Sequence, residues 1–244
     1  MKHATVSISA YRRRALALAV ASAVSGSAIA QVNPPSWWNQ IPNDESTISL
    51  GFAFDTNAFP PVASIRNVPT WFPAGAGTWT KSSGLSYFAG PFGAHSGAWG
   101  GIGSGASGGS MDVTIPNQFS ASNVKHVWLQ FDYLISGPNT IGVSIDGPPG
   151  STFSNAVTTY DVLENVVGVG DWVRSTTSFD ITPQPSWESI RWNVGTGPFG
   201  GVALVDNIFI GTHCEPVPEP ASMTLAAFAL CAAFRKRRGS NRVS

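Results

Sequence analysis

Few residues in this 244-residue chain have the types and spacing that chemistry needs. His95 stands beside Ser96, which suggests a hydrolase, yet no nucleophile elbow surrounds the serine. A triad is assembled in space, so the pairing leaves that activity open. A glycosidase needs two opposed carboxylates about 5–10 Å apart. Glu45, Glu164 and Glu188 are the candidates, and all three fall near expected turns or strand ends, where a cleft wall would not hold them rigid. Residues 103–108 fit the glycine pattern G-x-G-x-x-G. A dinucleotide fingerprint needs a strand before it and a helix after it. Here a glycine-rich loop precedes and an alternating strand follows, so a flexible loop is the better reading. His95, His126 and His213 are the histidines beyond residue 30, and none stands at zinc-ligand spacing from Cys, His or Glu. Asp146, Asp161, Asp171 and Asp206 border turns. They either cap local backbone, the simpler reading, or lend oxygens to a structural calcium ion. No other cofactor is expected.

One stretch has the chemistry of ligand binding. Val127, Leu129, Phe131 and Tyr133 alternate with Trp128, Gln130 and Asp132. If the first set faces a core, the second presents a ring, an amide and a carboxylate on the other face. Sugar binding uses such groups: a ring stacks on C–H faces and polar groups take hydroxyls. Trp128, Gln130 and Asp132 are therefore the candidate carbohydrate site, unless loops or the tryptophan-containing N-terminal linker cover them.

Short strands must position these residues. Ile48, Leu50, Phe52 and Phe54 alternate with small or polar residues, and Pro60 and Pro61 end that run. Met111, Val113 and Ile115 make a second strand, stopped by Pro116. The strand at 127–134 turns at Gly137, Pro138 and Asn139 into Ile141, Val143 and Ile145, which reads as a hairpin. Further strands follow at 173–181, 190–194 and 202–210. Between residues 69 and 110 Trp71, Trp79, Tyr87, Phe88, Phe92 and Trp99 lie among glycines; irregular strands and loops would pack these rings at a sandwich rim. With 26 Gly, 18 Pro and no long helix-period segment in the middle, the expectation is an all-β antiparallel sandwich of jelly-roll type.

The two ends read differently. Basic residues from Lys2 to Arg14, an apolar stretch and the small-x-small Ala28-Ile29-Ala30 form a secretory signal, so residues 1–30 should form a signal helix and Gln31 should begin the mature chain. A Pro- and Trp-containing linker covers 31–45, the sandwich 46–213, and a sorting and membrane segment with a hydrophobic helix 214–244. Nine of the 14 basic residues sit in the two ends. The middle keeps five against 13 acids once Glu219 is set aside, a net charge of −8. A phosphate backbone needs a basic face, so nucleic acid is excluded as a partner. Cations or neutral polymers fit better.

The tail resembles the PEP-CTERM sorting signal of exported bacterial proteins. The matching residues are Val217, Pro218, Glu219 and Pro220, then the apolar run 221–234, then Arg235, Lys236, Arg237 and Arg238. The resemblance implies processing by an exosortase, a membrane transpeptidase-like enzyme, with display at the envelope, surface or matrix. The run of residues 221–234, at 1.5 Å each, spans about 21 Å as a helix. That is short of the roughly 30 Å hydrocarbon core, and suits a transient handle more than a permanent anchor. The middle is similar in style to galactose-binding-like and carbohydrate-binding modules, through residues 95–100, 128–133, 143–147 and 205–210. This implies a fold more than an activity; an exopolysaccharide is the other partner expected. A non-catalytic surface or matrix protein is expected, with a glycosidase-like hydrolase or a purely structural matrix protein as alternatives.

Overall fold

Alternating Val, Ile and aromatic residues between Gly- and Pro-rich turns leave the chain little choice but strands. The computed structural model describes residues 4–7, 34–35, 45–75, 77–102, 108–137, 139–195 and 201–217. Among them the regular elements are β-strands: β1 (Ala4–Ser7), β2 (Thr47–Phe52), β3 (Ile65–Asn67), β4 (Thr78–Lys81), β5 (Ser86–Phe92), β6 (His95–Ile102) and β7 (Gly109–Pro116). The remainder are β8 (Asn123–Ile135), β9 (Thr140–Asp146), β10 (Thr152–Val166), β11 (Gly170–Thr182), β12 (Trp187–Gly195) and β13 (Val202–Pro216).

They form two antiparallel sheets packed as a sandwich. The smaller has the order β1-β9-β12-β7-β4 and the larger β10-β11-β8-β13-β2-β3. The long β13 serves two partners on one side: β2 pairs from Ile208 to His213, and β6 pairs from Val202 to Val205. From β7 onward the chain changes sheet at every connection except the β10–β11 hairpin.

Period-two burial builds the core. Met111, Val113 and Ile115 of β7, Ile141, Val143 and Ile145 of β9, and Ile190, Trp192 and Val194 of β12 point inward from one sheet. Val127, Leu129, Phe131 and Tyr133 of β8, with Val205, Ile208 and Ile210 of β13, meet them from the other. Each such aliphatic or aromatic side chain contributes about 1.5–3 kcal/mol on full burial. The rings expected at the rim are partly in this core. Trp79 stacks on Trp192 at 6.0 Å and meets Phe52 edge-on at 4.8 Å, and Trp99 is buried against Phe59. A chain with this many tryptophans needs them as filling between the sheets.

The ends depart from expectation in one respect. Residues 4–7 are not helical: β1 lies antiparallel along β9, from Ala4 opposite Ile145 to Ser7 opposite Gly142. Without it β9 would be an edge strand with unpaired backbone groups, and Thr5 and Val6 suit a strand. The rest of the signal segment, and the C-terminal helix expected beyond Val217, lie outside the described residues. Among the described residues no helix is long and apolar enough to cross a membrane.

Candidate functional site

The outward face of the larger sheet was the place to look for a ligand. Trp128, Gln130 and Asp132 do point away from the core, as the alternation requires. They are nevertheless 4%, 0% and 1% exposed, so the expected open sugar site at these three residues is corrected: it is a covered face. Trp128 packs with Phe209 and Ile65. Gln130 donates to Thr176 Oγ1 at 2.9 Å. Further along, the β5–β6 hairpin folds back over the sheet as far as β11. At its tip the Phe92 carbonyl accepts from Trp172 Nε1 at 2.7 Å and the Ala94 amide donates to Glu164 Oε2 at 2.8 Å. Ala98, Leu134, Trp172 and Leu204 form a second small core beneath it.

The charged groups under this cover pair with one another, as burial demands. Asp132 accepts from Arg174 Nε at 2.6 Å and Nη2 at 2.8 Å, and from Asn207 Nδ2 at 3.0 Å. Asn207 sits in a β-bulge of β13 with φ of 47°, a left-handed conformation that asparagine tolerates. Asp206 meets His95 Nδ1 at 2.6 Å and accepts from the Phe54 amide at 3.1 Å and the Asn207 amide at 2.7 Å. The His95 ring stacks on Trp172 at 3.7 Å. Burial first, then Asp55 and Asp206, raises the nearby Tyr87 phenol above its ordinary range. His95 is therefore a latch for the hairpin. Its neighbour Ser96 bonds instead to Asp55 on the exposed side.

The other singled-out residues are dispersed. Asp146 Oδ1 accepts from its own following amide, Gly147, at 2.9 Å, which is turn capping. Asp171 takes Asn165 Nδ2 at 2.5 Å, Asp206 is occupied as described, and Asp161 lies on β10 opposite Arg174. The four aspartates are not brought together. Among the described residues no three His, Cys, Asp or Glu gather as a metal site. Glu45 bonds to Thr70, Glu164 to the hairpin tip, and Glu188 to Lys125 between the sheets, so these carboxylates do not oppose one another. His126 meets Asp180 at 2.6 Å, and His213 meets Glu215 at 3.4 Å. Of the glycine pattern at 103–108 only Gly108 is described, and β7 follows it directly.

The open surface is on the other sheet. A cavity of about 500 Å³ crosses β9, β12 and β7, lined by Asp112, Thr114, Ser144, Asp146, Trp187, Ser189 and Arg191 among others. Strand register explains its shape. Ser144, Arg191 and Asp112 are lateral neighbours in one row, and Asp146, Ser189 and Thr114 in the next. Small hydroxyl residues make the floor, with Thr114 and Ser189 at 3.4 Å. Arg191, 56% exposed in its side chain, reaches over to pair through Nε with Asp112 Oδ1. Trp187 stands at one end, a half-buried ring opposite Pro116. Donors, acceptors and a ring face thus converge on one open groove. The sequence held this signal: the residues between the inward apolar positions of β7, β9 and β12 are Asp112, Thr114, Gly142, Ser144, Arg191 and Asn193, none large and apolar.

Comparison with known proteins bears on the tail. Residues 216–238 match the family model of the PEP-CTERM protein-sorting motif. The match supports an exported protein sorted through an exosortase to the cell envelope or surface. No curated protein and no solved structure matches the chain.

Proposed function

We propose that this is a non-catalytic cell-surface or extracellular-matrix protein whose sandwich, of jelly-roll type, binds neutral carbohydrate in the groove across β9, β12 and β7. The frequent passage of the chain between the sheets supports the jelly-roll reading. One observation carries the binding reading: Ser189 and Thr114 floor the groove between the Trp187 ring and the Arg191–Asp112 pair, with Ser144 beside Arg191. Hydroxyls and a carboxylate–guanidinium pair take sugar hydroxyls, while the ring covers a C–H face. The ligand proposed is an exopolysaccharide. The tail holds the protein at the membrane at least until the exosortase acts.

The test is a glycan array followed by titration of the exported chain with its best neutral oligosaccharide. Trp187→Ala should weaken binding at least tenfold, about 1.4 kcal/mol, with the thermal unfolding profile kept. Release of shortened sugar would replace the binding reading with a hydrolase. A blank array would leave a purely structural matrix protein.

A further inference from the structure

Between the sheets lies a charged group that the binding groove does not use. Lys125 Nζ meets Glu188 Oε1 at 2.6 Å, and both side chains are fully enclosed. The other oxygen, Glu188 Oε2, accepts from Asn117 Nδ2. Asn117 follows β7 and is fixed by its own amide, which donates to the Ser186 carbonyl at 2.8 Å. Glu188 belongs to β12 of the smaller sheet and Lys125 to β8 of the larger. One carboxyl group therefore bridges an amine from one sheet and a primary amide from the other.

Enclosing a lysine and a glutamate in a dry interior is costly for their charged forms. Burial pushes the Glu188 carboxyl up, against the opposing pull of Lys125 and Asn117. A lysine amine that has passed its proton to a carboxylate is a nucleophile. The electrophile held on the same carboxyl is the side-chain amide of Asn117, whose nitrogen donates to Glu188.

We propose that Lys125 and Asn117 become joined by a side-chain amide bond, with Glu188 carrying the proton. Glu188 takes a proton from the Lys125 ammonium. The freed amine attacks Cγ of Asn117, forming the new C–N bond. Glu188 returns the proton to Nδ2, the Cγ–Nδ2 bond breaks, and ammonia leaves. The attacking nitrogen gives its second hydrogen to the same carboxylate, which ends as the acid, so an ammonium, a carboxylate and an amide become one new amide, one carboxylic acid and one ammonia, with no oxidant or reductant. The product ties the two sheets covalently across the loop between β7 and β8, in a chain with only two cysteines.

The intact mass of the purified full-length chain, denatured, tests this. It should fall short of the sequence mass by one ammonia. Trypsin should fail to cut after Lys125, so that residues 82–174 appear as one fragment carrying that loss, with the branch mapped to Asn117. Asn117→Ala, at a half-buried position that leaves the Lys125–Glu188 pair in place, should restore both the full mass and cleavage after Lys125. Glu188→Gln should do the same if it folds. A wild-type chain of full mass that is cut after Lys125 overturns the proposal. So does ammonia loss with normal cutting, which would be an asparagine succinimide, and so does a branch from Lys125 to any residue other than Asn117.

Discussion

Arg174→Met isolates the covered face from the rest of the molecule. In the native chain Asp132, 1% exposed, receives both Arg174 nitrogens at 2.6 and 2.8 Å and one amide nitrogen of Asn207 at 3.0 Å. Methionine keeps most of the stem volume but takes away the charge and both charge-assisted bonds. Asp132 is left as a buried carboxylate with a single neutral donor. Removing one partner of a buried pair costs about 3–5 kcal/mol, against about 0–1 kcal/mol for an exposed pair. Marginal stability of about 5–15 kcal/mol means that this is a third or more of the total in many domains. For a domain of this size the melting temperature should fall by about 6–20 °C. Adding Asp132→Asn to Arg174→Met should recover a large part of the loss, because the residual cost is a stranded charge. The assay is urea unfolding of the two single variants and the double variant, read as a double-mutant cycle. A cost for Arg174→Met below about 1 kcal/mol, or a double variant worse than the sum of the singles, would refute the reasoning.

Two further outcomes follow from groups on the same sheet. Burial, then the neighbouring Tyr160 phenol, raises the Tyr133 phenol to about 12. The folded state thus holds this proton more tightly than the unfolded state, whose phenol titrates near 10. Its contribution is intact below pH 10 and is lost as pH rises toward about 12. Melting temperatures over that window should fall for the native chain and fall less steeply for Tyr133→Phe. At the hairpin tip, Gly93 has φ of 68°, and a Cβ there would clash with the Glu164 carboxylate. Glu164 can swing aside only by releasing the Ala94 amide, and the backbone term remains. Gly93→Ala should cost about 1–2 kcal/mol in chemical unfolding and speed amide exchange at Ala94.

The legible part of the fold was the part with an unbroken period of two. Met111 to Ile115, Val127 to Tyr133, Ile141 to Ile145 and Ile190 to Val194 each read as strands and are strands. β10 did not show, although it is among the longest. Its pairing with β11 shifts between Ser154 and Val157 and again between Val162 and Glu164, so inward and outward residues exchange places twice. As a sheet edge it also buries little, leaving Val157, Tyr160 and Val162 exposed, so no apolar face accumulates to be read. β1 was hidden for another reason: its residues carry the signature of an export signal, and their pairing with β9 depends on an edge that only the folded sandwich creates. The expectation of an open face at Trp128, Gln130 and Asp132 rested on a single assumption, that an outward face is an open one. Trp128 and Leu134 in the outward row of β8 were the warning, because large apolar residues there need a cover, and the β5–β6 hairpin and the β2–β3 region supply it.

Charge placement also bears on the ligand class proposed for the groove that stays open. Each of the five cations in the middle of the chain is engaged. Arg66 donates to the Pro73 carbonyl, and Lys81 sits over the rings of Phe59 and Trp99. Lys125, Arg174 and Arg191 pair with Glu188, Asp132 and Asp112. The excess acids therefore meet no excess of base, and the field at the surface is negative, which turns away polyanions. Inside the groove the balance is local: Arg191 cancels Asp112, and Asp146 at the rim is partly occupied by its own turn. A strongly cationic ligand would have to compete with Arg191 for Asp112, and an anionic one would have to cross the surrounding field to reach Arg191. A neutral polyhydroxylated chain meets neither penalty. It can exchange hydrogen bonds with Ser144, Thr114 and Ser189 while leaving the ion pair intact, and this physical selection favours the proposed carbohydrate over other polymers.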